Sequence, residues 1–253
     1  MQEPASPAGV APRPMNLPAT TSLALGLRAA AVLGTLAFLP LRATDPVPTT
    51  APAPAAPTLA ERPAPDEALQ RLLDGNTRYA AGHAEHPHQT AARRIEVAAG
   101  QAPFAVILTC SDSRVAPEFY FDQGLGDLFV VRDAGNTLND HVIGSIEYAV
   151  EHLHASLVVV VGHEKCGAVA AAIAGGHANG RIGTIIEAIR PAVRETRNQA
   201  GDKTDNAVRG NARRAAQTLG VTSPVLAHAV ETGQIKIVAA RYDLASGRVE
   251  LLP

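Results

Sequence analysis

The chain has only two cysteines in 253 residues, Cys110 and Cys166, and His163 stands three positions before the second. Each lies just after a short, uniformly apolar run, FAVIL before Cys110 and LVVVV before His163. Two thiolates and one imidazole are a donor set suited to Zn²⁺. Three protein ligands would leave the fourth tetrahedral position open, which is how catalytic zinc is held, and water in that position has its pKa lowered from ~16 to ~7. An H-x-x-C clip alone is weak evidence, and two cysteines in an exported chain more often form a disulfide. The surroundings favour the metal: Cys110-Ser111-Asp112-Ser113-Arg114 and Gly162-His163-Glu164-Lys165-Cys166-Gly167-Ala168. Asp112 and Arg114, at alternate positions after a strand end, can both face the ion. A carboxylate buried there needs a partner, and the guanidinium is its natural bidentate one.

Those residues need elements to position them. Residues 104–108 (FAVIL), 128–131 (LFVV) and 157–161 (LVVVV) predict buried strands, with a fourth over 235–239 and a last short strand over 248–252 after a turn at 244–247. Asp66 is placed to cap a helix carrying Leu69, Leu72 and Leu73, with Gly75 weakening its end. Asp140 is placed to cap a helix whose stripe is Val142, Ile146, Ala149, Val150 and Leu153. Helices are also expected over 168–174, over 204–219 up to Gly220, and from Ser223-Pro224 to a stop at Gly233. Apolar strands alternating with helices predict an α/β fold: three α/β/α layers around a mostly parallel sheet, four parallel strands plus an added edge strand. Ligands of such sheets bind beyond the carboxyl ends of the strands, where Cys110, His163 and Cys166 all fall.

CSDSR followed by GHEKCGA resembles the beta class of carbonic anhydrases, and LLDGNTRY, LFVVRDAGN and ETGQIKIVAARYDLASGRVELL extend the resemblance over residues 66–253. It implies one Zn²⁺ per chain on Cys110, His163 and Cys166, with Asp112 and Arg114 as a catalytic dyad. It also implies that Gln101, nine residues before Cys110, contacts substrate or product, and that the Gly167 backbone lies against the substrate pocket. The implied reaction is the reversible hydration of CO₂ to bicarbonate and a proton, with Asp112 accepting a hydrogen bond that aims the attacking oxygen. The family has a second state in which the aspartate becomes a zinc ligand, open to Asp112 if Arg114 releases it. In the bacterial subtype that favours closure, a tryptophan three residues before the first cysteine helps build a regulatory bicarbonate pocket. Here that residue is Ile107 and the chain has no tryptophan, although Arg132 matches, so an open site is expected at neutral to alkaline pH. A homodimer or tetramer is implied, with the N-terminal helix packed on a neighbour. Alternatives are a carbonyl sulfide or carbon disulfide hydrolase on the same scaffold, or a zinc-binding relative without catalysis, which an intact Asp112 and Arg114 argue against.

Composition bounds the rest. Apolar residues are 46% and charged residues 18%, enough for a core, and a net charge of −2 argues against nucleic acid as a partner. Thirteen of the 19 prolines lie in the first 65 residues. Within that part, residues 29–41 (AAAVLGTLAFLPL) form an apolar run between Arg28 and Arg42 that is short for a bilayer span. Residues 1–43 therefore read as a signal peptide or an N-terminal membrane anchor, the cleavage site at Leu41-Arg42-Ala43 being poor. Residues 44–65 read as a Pro/Ala/Thr-rich linker and 66–253 as the catalytic domain, exported to a bacterial periplasm. His83, His86 and His88 read as an exposed loop. Gly175, Gly176, Gly180 and Gly183 read as a flexible connection rather than a phosphate loop, and Arg209, Arg213 and Arg214 as a solvated or interface face. No G-x-G-x-x-G follows a strand, and Ser111 and Ser113 lack a general-base constellation.

Overall fold

A computed structural model describes residues 62–175 and 178–253. The apolar run 29–41, most of the proline-rich linker and Gly176 lie outside the described residues. Five strands, β1 (Ala105–Thr109), β2 (Leu128–Arg132), β3 (Leu157–His163), β4 (Lys236–Tyr242) and β5 (Val249–Leu252), form one sheet in the order β2-β1-β3-β4-β5. The first four run parallel and β5 is antiparallel to β4, the predicted four-plus-one arrangement. Every residue of β1 and β3 is buried, as central parallel strands covered on both faces must be. β2 was expected to be as buried but is only partly so, because it is an edge strand with one neighbour.

Among the described residues eight helices accompany the sheet: α1 (Pro65–Ala80), α2 (Ala91–Val97), α3 (Pro117–Tyr120), α4 (Asp140–Glu151), α5 (Gly167–Ala174), α6 (Ile182–Thr196), α7 (Lys203–Thr222) and α8 (Pro224–Glu231). Alternate strand residues feed two cores. Ile107, Val159 and Val161 pack with Leu72, Ile189 and Val208; Val106, Leu108, Val158 and Val160 pack with Ile146, Leu219 and Leu226. This is the three-layer architecture expected from the sequence. α7 supplies both cores, and its approach to β3 depends on Gly162, where a Cβ would sit 2.9 Å from Val208 Cγ1.

Several boundaries differ from the sequence reading, each for a local reason. α1 starts at Pro65, a residue favoured in the first turn, so Asp66 lies inside the helix rather than capping it. Gly75 does not end α1 but lets it touch the backbone at Phe121, whose carbonyl oxygen would be 1.9 Å from an added Cβ. Asn139, not Asp140, caps α4 by accepting from Val142 N–H at 3.0 Å. α7 runs through Gly220 to Thr222, and Ser223 then caps α8 as expected. α6 contains Pro191, a residue that usually ends a helix; its buried stripe of Ile186, Ile189 and Ala192 holds it in place. His86 and His88 both have positive φ. The histidine segment is the exposed loop expected from the sequence, and it is anchored: His86 N–H donates to Asp122, and the His88 ring meets Asp127 at 2.8 Å.

Candidate metal centre

β1 ends one residue before Cys110. β3 continues two residues beyond its expected end, so His163 is its last residue, paired with Tyr242 of β4. Parallel pairing of Thr109 with Val161 brings Cys110 out beside His163. Lys165, at φ 53°, turns the chain back so that Cys166 becomes the N-cap of α5. The two sulfurs and a ring nitrogen of His163 all lie within 4.8 Å of one another, and all three residues are buried. Both cysteines are free thiols, not a disulfide.

The protonation pattern suits a cation. The His163 Nδ1–H donates to the Glu164 carbonyl at 2.8 Å, which leaves Nε2 as the bare lone pair. That Nε2 is buried and has no hydrogen-bond partner among the described residues. An orphaned buried nitrogen facing two sulfurs asks for a ligand that accepts electron pairs. The sulfurs share a proton: the hydrogen bond from Cys166, aided by the Gly135 N–H, pulls the Cys110 thiol down against the effect of burial, while the same bond and burial push Cys166 up. A soft divalent ion would displace that shared proton, so the donor set fits zinc.

Beside the cluster, Asp112 is locked by Arg114. The guanidinium Nε and Nη2 donate to the two carboxylate oxygens at 2.9 and 2.7 Å, and the Arg114 backbone N–H adds a bond at 2.9 Å. This fork is the main reason the Asp112 carboxyl stays well below the usual carboxylate range. Asp112 Oδ2 is 3.9 Å from His163 Nε2, so the carboxylate adjoins the cluster while both its oxygens face Arg114. Gly167 follows at the first position of α5, exposed, with open space where a Cβ would be.

A family model described as carbonic anhydrase matches residues 105–249. Carbonic anhydrase 2 of Mycobacterium tuberculosis is 41% identical over 191 residues, covering 74% of this chain and 92% of that protein. The carbonic anhydrase of Mycolicibacterium smegmatis is likewise 41% identical, over 74% of this chain and 93% of its own length. The solved Coccomyxa beta-carbonic anhydrase in complex with acetazolamide superposes with a TM-score of 0.57 at 27% identity, over 73% of this chain and 86% of that one. This chain belongs to the beta-carbonic anhydrase family.

Two further residues singled out by the sequence have definite places. Gln101 does not lie beside the cluster: it is exposed in the loop leading into β1, whereas Cys110 follows the other end of that strand. Five strand residues at ~3.3 Å each separate the two ends. Arg132 does not stand free as an anion clamp. Its Nε donates to the Cys110 carbonyl at 3.1 Å and its Nη2 to the Asp112 carbonyl at 2.6 Å, so it braces the loop that carries ligand and carboxylate. The sequence reading missed Gly135, whose N–H donates to Cys110 Sγ at 3.2 Å. The stretch RDAGN marks the place, but the role depends on a backbone angle, φ 71°, that residue type only permits.

Proposed function

We propose that this chain catalyses the reversible hydration of CO₂ to bicarbonate and a proton, with one Zn²⁺ per chain held by Cys110, His163 and Cys166. The observation that carries the reading is the buried, partnerless His163 Nε2 facing two free sulfurs beside an arginine-locked carboxylate. When bound, zinc supplies Lewis-acid chemistry that makes a hydroxide nucleophile available near neutral pH. The protein's own residues do the aiming. Asp112, kept ionised by Arg114, is only an acceptor, so it holds a hydroxyl donor in one orientation and turns the oxygen's lone pair toward CO₂. Bicarbonate, which carries a hydroxyl, is accommodated by the same acceptor, whereas fully deprotonated anions are not. Arg132 keeps the Cys110–Asp112 loop in register with the cluster. The bare backbone of Gly167 leaves room for the substrate.

The deciding experiment is metal analysis of the purified protein combined with CO₂ hydration before and after chelation. About one zinc per chain is expected, with activity lost on its removal and regained on its return. Metal-free protein with full activity would end the reading. Turnover of CO₂ against carbonyl sulfide on the same preparation separates the two substrates, and CO₂ is expected to win.

The assembly belongs to the same proposal. A homodimer or tetramer would bring Gln101 of one chain to the cluster of another, which the exposed position of Gln101 favours. For the N-terminal part we propose export, with residues 29–41 as signal or anchor. Mass spectrometry of the mature N-terminus distinguishes cleavage from retention.

A further inference from the structure

α7 presents an apolar stripe to the sheet, yet Asn211 sits in the middle of it, 5% exposed. Asparagine is a poor helix former and a costly residue to bury, so it needs a partner. The partner is the metal-site loop: Asn211 Nδ2 donates to the Gly135 carbonyl at 2.8 Å. Gly135 is the residue whose N–H donates to Cys110 Sγ at 3.2 Å. Its left-handed φ and its contact with Ile189, whose Cδ1 would be 2.6 Å from an added Cβ, leave the loop little freedom. We infer that Asn211 is a positioning residue for the metal centre, acting through Gly135 to aim an N–H at the Cys110 sulfur and so to set its orientation and donor strength.

The inference rests on the zinc reading above. An N–H···S bond draws electron density from a thiolate and fixes its rotamer, and such outer partners commonly alter metal affinity 10–100-fold. Asn211 touches neither ligand nor substrate. Loss of its amide would let the Gly135 backbone turn in search of another donor, and the bond to sulfur would go with it.

The test uses the full chain and two variants, Asn211→Leu, which removes the donor, and Asn211→Asp, which keeps the shape but offers only an acceptor. Zinc affinity is measured by chelator competition, and the thiolate-to-metal absorption band is recorded after cobalt substitution. Both variants are expected to bind zinc ~10–100-fold more weakly and to shift the cobalt band. Leu219→Ala, fully buried on the same helix but in the other core, is expected to lower the melting temperature without moving either readout. Wild-type affinity and an unshifted band in folded Asn211 variants would overturn the inference, as would an equal loss of affinity in Leu219→Ala. Should neither Asn211 variant fold, ¹¹³Cd-loaded wild-type protein decides: scalar coupling between cadmium and the Gly135 amide proton is expected, and its absence overturns the inference. A wild-type chain that binds no zinc would instead overturn the function proposed above.

Discussion

Asp112 and Arg114 form a unit in which each member has a separate task. The guanidinium fixes the carboxylate with two side-chain bonds and a backbone bond, and the carboxylate orients the reacting hydroxyl. Because Arg114 holds the folded-state pKa of Asp112 well below its ordinary value, the group stays ionised from mildly acidic to alkaline pH. It therefore contributes no bend to the pH profile there. Asp112→Asn puts an amide where an acceptor-only group is needed, and Arg114→Ala leaves the carboxylate free to turn. Each should lower kcat/KM for CO₂ by ~10²-fold or more with zinc content unchanged, as stopped-flow hydration and metal analysis would show; near-normal turnover in both would remove the pair from the mechanism. The sulfurs make a second prediction. Cys110 is already shifted toward thiolate, whereas Cys166, pushed up, keeps its proton at neutral pH. Zinc must then expel about one proton, so affinity should rise about tenfold per pH unit around neutrality. Calorimetry in buffers of different ionisation enthalpy would count that proton, and a pH-independent affinity would contradict the shared-proton picture.

Elements are where physical rules readable from residue types both succeed and stop. β1 and β3 are legible because central parallel strands must be apolar throughout, and their carboxyl ends point to Cys110 and His163 without any knowledge of the fold. The same rule overstates the burial of β2, since LFVV at an edge has the same letters as LVVVV at the centre. α6 is hidden by Gly183 and Pro191, local breakers that tertiary burial of Ile186 and Ile189 overrides. Gly135 and Asn211 are invisible for another reason. One acts through its backbone and the other through a contact 76 residues away, and neither leaves a periodic trace. Gly75 shows the cost of reading glycine only as punctuation. Gly75→Ala should gain helix propensity yet destabilise the fold by about 2–3 kcal/mol, because the Phe121 backbone oxygen occupies the space of the new methyl. Denaturant titration measures this, and an unchanged or raised midpoint would mean that α1 can move away from Phe121 without loss.

At the scale of the whole molecule, one chain's metal cluster and its Gln101 sit at opposite ends of β1. A site that uses both must take them from two chains. The exposed Ile95 and Leu125 lie toward the Gln101 end, since Arg93 of α2 donates to the Leu125 carbonyl just before β2 starts beside Ala105. An isologous dimer would carry two composite sites, each with Cys110, Asp112, His163 and Cys166 from one protomer and Gln101 from its partner. That arrangement has a consequence no monomeric site can imitate. Asp112→Asn and Gln101→Ala proteins should each be strongly impaired alone. Unfolded together in equal amounts and refolded, half the dimers are mixed, and each mixed dimer has one site with an intact Asp112 and an intact Gln101. The mixture should recover about a quarter of wild-type activity, because the other site of the mixed dimer collects both defects. If Gln101 serves its own chain's cluster, mixing yields only the mean of the two impaired parents. Complementation is therefore expected in the refolded mixture and not in parents combined without exchange of subunits.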